Sequence, residues 1–205
     1  MKTIIHPTYF PNIEFFSHLI KSDDIIFEVN DNYQKQTLRN RTSIYSSNGK
    51  LDLSIPVKFS SSNKEKLRDI KICYNSNWQK RHLKSIQTAY RSSPYFSFFE
   101  EYFFEIFEKK EKYLIDVSLK SIEIIYQILE VNLNYKFTNE YKRTNKAIND
   151  SRELSRRNKT GAANSIKQYH QVFEENHGFI NNLSMIDLIF NQGIGSLDFF
   201  EKSNI

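Results

Sequence analysis

The chain has 205 residues, a formal net charge of +5, 39% hydrophobic and 15% aromatic residues, so it can bury one core built largely from Phe and Tyr. Its single cysteine, Cys73, excludes an intramolecular disulfide and a cysteine-based zinc site and fits a reducing compartment. The opening from Met1 to Pro7 lacks the apolar run of a secretory signal, and no run of about 18 apolar residues follows, so a cytoplasmic protein without membrane insertion is expected.

Ile4 and Ile5 predict a first strand near 3–6, which stops at His6-Pro7, and Ile13, Phe16, Leu19 and Ile20 have helical spacing. Ile25 to Val29 predicts a second strand near 25–29, ending in the polar Asn30-Asp31-Asn32. Strand, helix and strand in this order make a parallel pair, and ligands bind beyond the carboxyl ends of such strands. His6 to Phe10 and Asp31 to Arg41 therefore belong at one edge.

Asn48-Gly49 signals a turn, and further strands are predicted near 51–57 and 69–74, on either side of a polar surface loop from Ser60 to Lys66. From Trp78 the period becomes helical, with helices expected at 78–91, 95–108 and 113–131 and a break at Ser92-Ser93-Pro94. A last helix runs through Met185, Leu188 and Ile189 to near Gly193, with Ser184 or Asn182 as its cap. The fold class is α/β: a small N-terminal mixed or parallel sheet followed by a mainly helical C-terminal half. We read residues 1–205 as one domain, strand-rich at 1–77 and helical at 78–205.

Charge is concentrated between Phe137 and Lys167, where eight basic residues face three acidic ones. With weak apolar periodicity, this stretch reads as a long basic loop or weak helix that orders on an anionic ligand. Past the Phe137 that opens it, it contains one aromatic residue, Tyr141, and so lacks the interleaved stacking platforms of a nucleic-acid binder.

Asp31 to Arg41 is the segment richest in hydrogen-bonding groups. Arg39 and Arg41 can clamp a phosphate or carboxylate through planar forks, with Lys35 as a point charge and Gln36 as an amide. His6 is a candidate general base, set against the alternative of a hydrogen-bonded structural histidine. Trp78 and His82 share a helix face with Tyr90, which suits either a helix core or a platform for a base or sugar beside a proton-transferring His82. No phosphate-binding glycine loop, dinucleotide fingerprint, nucleophile elbow or zinc-helix spacing occurs, and no metal is expected.

Several of these segments together resemble the WbqC-like protein family. They are His6-Pro7-Thr8-Tyr9-Phe10-Pro11, the Lys35 and Arg39-Asn40-Arg41 run, Trp78 to His82, Ser93-Pro94-Tyr95-Phe96, Asp150-Ser151-Arg152, and Tyr169 with Gln171 and Phe173. Where the family opening suggests Gln-Pro, this chain has His6-Pro7. The resemblance implies O-antigen or related glycan biosynthesis in the cytoplasm. The expected activity is transfer of an acyl or aminoacyl group to the amine of a nucleotide-linked sugar. The donor would be phosphorylated, such as a coenzyme A thioester or a charged tRNA. The catalytic candidates are then His6, His82 and Asp31, and the substrate-binding candidates Tyr9, Lys35, Gln36, Arg39, Arg41, Trp78, Tyr90, Tyr95 and Gln171. The competing expectation is a non-catalytic module that assembles polysaccharide enzymes.

Overall fold

The computed structural model describes residues 1–59, 64–143, 148–156 and 166–201. Strand β1 (Lys2–Ile5) leads through the buried loop His6 to Pro11 into helix α1 (Ile13–Ile20). The Asn12 side chain opens this helix by accepting the Phe15 amide at 2.8 Å. Its apolar face buries Ile13, Phe15, Phe16 and Leu19, and the chain returns as β2 (Asp24–Phe27), parallel to β1 from Lys2 opposite Asp24 to Ile5 opposite Phe27.

The next four strands lie apart from this pair. β3 (Arg41–Ser46) and β4 (Gly49–Ser54) form an antiparallel hairpin, and β5 (Val57–Lys58) pairs with β6 (Lys71–Ile72). The strands expected near 51–57 and 69–74 therefore exist in part but do not extend the N-terminal sheet. The reason is local: a two-residue turn at Ser47-Asn48 gives β4 an antiparallel neighbour at once, whereas a parallel one would require a crossover. Of the Ser60 to Lys66 loop, residues 60–63 lie outside the described residues.

Helices α2 (Trp78–Tyr90), α3 (Phe96–Glu108) and α4 (Leu114–Ile128) follow the three helical periods closely. α4 is buried on most of its circumference, and its small polar positions hold the loops beyond the sheet. Ser121 Oγ accepts the Phe10 amide at 3.0 Å, and Ser118 Oγ donates to the Arg39 carbonyl at 3.3 Å. Among the described residues no helix is long and apolar enough to cross a membrane.

The basic stretch contains more structure than its composition implies. β7 (Tyr135–Phe137) enters it and pairs in parallel with β2, while β8 (Asn149–Asp150) pairs in parallel with β1 and leads into a 3-10 turn over Arg152–Ser155. The resulting sheet has the order β7-β2-β1-β8, all parallel. Residues 144–147 and 157–165 of the expected loop lie outside the described residues. The chain proceeds outward from β1 to β2 and then returns to the other side of β1 as β8, so the connections diverge between β1 and β8. A crevice opens at the carboxyl ends of such strands.

After the short α5 (Glu174–His177), Ser184 caps α6 (Met185–Gln192) by accepting the Ile186 amide at 3.2 Å, and α7 (Ser196–Glu201) ends the described chain. Gly193 has φ +61, and an added Cβ would lie 2.7 Å from the Tyr95 ring. Gly193→Ala is therefore expected to cost more than about 1 kcal/mol, seen as a lowered urea midpoint. An unchanged midpoint would mean that the Tyr95 ring yields freely.

Candidate functional site at the switch point of the parallel sheet

Each of the four strands delivers residues to one edge. Glu28, the first residue beyond β2, is wholly buried and joins three strand ends. Its Oε1 accepts the Asn30 amide at 2.8 Å and the Thr138 hydroxyl, beyond β7, at 2.9 Å. Its Oε2 faces Nη1 of Arg152, beyond β8, at 3.4 Å. Arg152 also forks onto Asp150 and donates to the carbonyls of Lys142 and Arg143. A buried carboxylate needs such partners, because desolvation of an unpaired charge costs several kcal/mol.

His6, the first residue beyond β1, sits beside this group and is 3% exposed. Its Nε2 lies 3.0 Å from Asp31 Oδ2 and its Nδ1 3.1 Å from the Arg152 carbonyl. Arg39 Nη2 approaches Nε2 at 2.9 Å and Asp31 Oδ2 at 3.2 Å, and Ser155 Oγ lies 3.2 Å from Nδ1. Burial, reinforced by the Arg39 charge, holds the imidazole pKa below its ordinary value despite Asp31. The neutral ring has two supported forms. With the proton on Nδ1 it donates to the Arg152 carbonyl and accepts from Arg39; with the proton on Nε2 it donates to Asp31 and accepts from Ser155.

Asp31 is the member of this trio that reaches outward, with its side chain 15% exposed against 4% for His6 and 1% for Arg39. Burial pushes its carboxyl up, but the His6 hydrogen bond and the charges of His6 and Arg39 outweigh this and leave it below the usual range. Asp31 is therefore ionised at neutral pH. Arg39 is brought down to about 10 by burial and remains a cation, and its Nε and Nη1 have no hydrogen-bond partner among the described residues.

The cleft outside this trio has a volume of about 470 Å³. Beyond His6, Asp31 and Arg39 its walls are Gln34 from the same loop and Tyr141, Arg143, Asp150, Arg152, Glu153 and Arg156 from the basic stretch. Tyr141 is 47% exposed, and the Arg152 guanidinium lies 5.2 Å from its ring centre. The arrangement combines a carboxylate and imidazole able to relay a proton, guanidiniums able to hold an anion, and one exposed ring.

The other residues singled out from the sequence lie elsewhere. Lys35 is exposed with its ammonium 5.1 Å from the Phe59 ring centre, Gln36 is exposed with φ 59, and the half-buried Arg41 opens β3. Tyr9, Trp78 and His82 form a buried group in which the Tyr9 hydroxyl lies 3.0 Å from His82 Nδ1 and the Trp78 ring stands edge-on to the imidazole. Tyr90 and Gln171 belong to a third group around the buried Asp187, which accepts from Tyr90 at 2.8 Å, Tyr169 at 2.6 Å and Gln171 at 3.0 Å. Tyr95 is exposed beside Gly193. Sequence reasoning did not select the wall of Tyr141, Arg143, Arg152 and Arg156 residue by residue; its signal was the local excess of positive charge.

The profile of the WbqC-like protein family matches residues 6–170, a span that opens on His6 and contains every residue lining the cleft. No curated protein and no solved structure matches the chain.

Proposed function

This chain belongs to the WbqC-like protein family, which suggests a part in polysaccharide biosynthesis, and from that premise we propose that it is a transferase acting on a nucleotide-linked amino sugar at the sheet-edge cleft. The observation that carries this reading is the placing of the Asp31–His6 pair beside a cationic, ring-bearing wall. A nucleotide sugar presents groups of matching chemistry. Its base stacks on Tyr141, its diphosphate takes Arg143 and Arg156, and its amine meets Asp31.

In acyl transfer the amine nitrogen forms a bond to the donor carbonyl carbon, the bond from that carbon to the leaving sulfur or oxygen breaks, and the nitrogen sheds a proton. Asp31 holds and orients the amine and takes its proton, which passes from Oδ2 to the free Nε2 of the neutral, Nδ1-protonated His6 that lies 3.0 Å behind it. Ser155 and the Arg152 carbonyl keep the ring in place in either form. The donor, an acyl or aminoacyl thioester or ester, supplies the activated carbonyl.

A thermal-shift screen with nucleotide sugars tests this reading, since a ligand at a hundredfold its dissociation constant adds about 2.7 kcal/mol of apparent stability. Tyr141→Ala is expected to weaken the responding ligand by about 1 to 3 kcal/mol, roughly fivefold to 150-fold. A ligand that stabilises the Tyr141→Ala and Arg156→Gln proteins as strongly as the parent would place its site elsewhere.

One observation favours the second reading, a non-catalytic assembly module. Tyr95, Phe98, Phe99 and Tyr102 form a row of neighbouring rings along α3, and Phe98 is 70% exposed. Exposed apolar patches of this kind mark protein contacts. Under that reading Phe98→Asp abolishes complex formation, whereas Asp31→Asn leaves it unchanged.

A further inference from the structure

A second concavity lies between α2 and the β3–β4 hairpin and shares no residue with the sheet-edge cleft. Lys50, Arg81 and Lys84 stand around it, with Ser46, Ser47, Asn48, Ser85 and Thr88 supplying amide and hydroxyl groups, Leu51 and Ala89 forming an apolar floor, and, among the described residues, no carboxylate in its lining. Among the described residues none of the three cations pairs with an acidic side chain. The hairpin wall is held in place by His177, whose Nε2 donates to the Ser47 carbonyl at 2.8 Å.

A second observation concerns the helix itself. α2 contains Lys80, Arg81 and Lys84 and no acidic residue, and its first turn has no carboxylate. Cations there oppose the helix dipole, and Arg81 and Lys84, three apart on one face, repel each other. The free protein therefore gathers positive charge at a place where the helix is weakened by it, and a bound anion would relieve both effects.

We propose that this groove binds the diphosphate group of a small, non-aromatic ligand. Its size lies within the range of small-molecule sites. Three cations suit two adjacent phosphates, the hydroxyls supply further donors, and the floor accepts a short aliphatic portion. Among the described residues no aromatic side chain lines the groove, which argues against a nucleic-acid strand, whose bases require stacking platforms. This inference does not rest on the transferase reading.

The test is titration of the whole chain with inorganic pyrophosphate, followed by amide NMR and calorimetry, for the parent, the Arg81→Gln/Lys84→Gln protein and the Arg156→Gln protein. Saturable shifts on residues 46–51 and 81–89 are expected, with the affinity read from those residues reduced about tenfold or more in the first variant, the equivalent of about 1.4 kcal/mol, and unchanged in the second. The first variant, free of ligand, should melt at or above the parent temperature because the repulsion has been removed. Shifts confined to residues 141–156, equal affinity in the first variant, or a lowered melting point for it without ligand would overturn the proposal. So would tighter binding of an oligothymidylate than of pyrophosphate at the same residues, which would make the groove a nucleic-acid surface.

Discussion

Arg152→Met is expected to lower the unfolding free energy by about 3 to 5 kcal/mol, measured as a shift of the urea midpoint. The methionine keeps much of the length and apolar stem but removes the cation that, among the described residues, faces the wholly buried Glu28. Glu28 retains two donors, from Asn30 and Thr138, yet its charge is then buried without a counter-charge. Most of the loss arises from Glu28, because the Asp150 side chain is 33% exposed and water replaces its partner there. The Glu28→Gln/Arg152→Met protein is accordingly expected to recover stability relative to Arg152→Met alone, as a coupled pair should. A loss below about 1 kcal/mol, within the range of an exposed ion pair, would show that Glu28 does not depend on Arg152. The same ties join the ends of β2, β7 and β8, so the first variant should also reduce hydrogen-exchange protection along the cleft edge.

A second large effect is expected in the pH dependence of stability. Burial raises Asp187 to about 6, even though Tyr169, Tyr90 and Gln171 donate to it. Its folded-state pKa exceeds the unfolded value of 3.8, so its contribution is full below that value and is lost as pH rises through about 6. His82 behaves oppositely. Burial, with help from the Arg81 charge, lowers it from 6.5 to about 4, so its contribution is full above 6.5 and is lost as pH falls through about 4. Each group is worth about 3 kcal/mol across its window at 1.36 kcal/mol per pH unit, and over the shared range the two slopes offset each other.

Single substitutions should expose the separate terms. Between pH 7 and pH 4, Asp187→Asn is expected to lose about 3 kcal/mol relative to the parent, and His82→Gln to gain a similar amount. Other titrating groups are common to the three proteins and cancel in the comparison. Parallel stability curves for all three would mean that neither group has the burial-driven shift described. The result would also separate these two buried clusters from the sheet-edge site, where Asp31 carries a lowered rather than a raised carboxyl pKa.

The extent to which the molecule was legible in its sequence follows from the range of the interactions concerned. Helices α2, α3 and α4 were readable because each contains several turns of one apolar stripe, and Ser92-Ser93-Pro94 separates the first two. The β1–α1–β2 unit was readable for the same reason, and with it the position of His6 and Asp31 at one edge. β7 and β8 were not, since strands of three and two residues have no alternation to detect, and only pairing with β2 and β1 makes them strands.

The amino-acid sequence by itself determined the α/β class, the lengths of the main helices, the parallel edge on which His6 and Asp31 stand, and the concentration of positive charge after β7, because each depends on neighbours within a few turns or residues. Only the tertiary structure decided which of the candidates meet. Trp78, Tyr9 and His82 have the chemistry of a stacking site, yet long-range packing buries them together, while Tyr141, alone in a polar segment, is brought to the cleft with Arg152 and Arg156 by β8 closing on β1. Burial, counter-charge and access are properties of residues distant in the chain, and no local pattern specifies them.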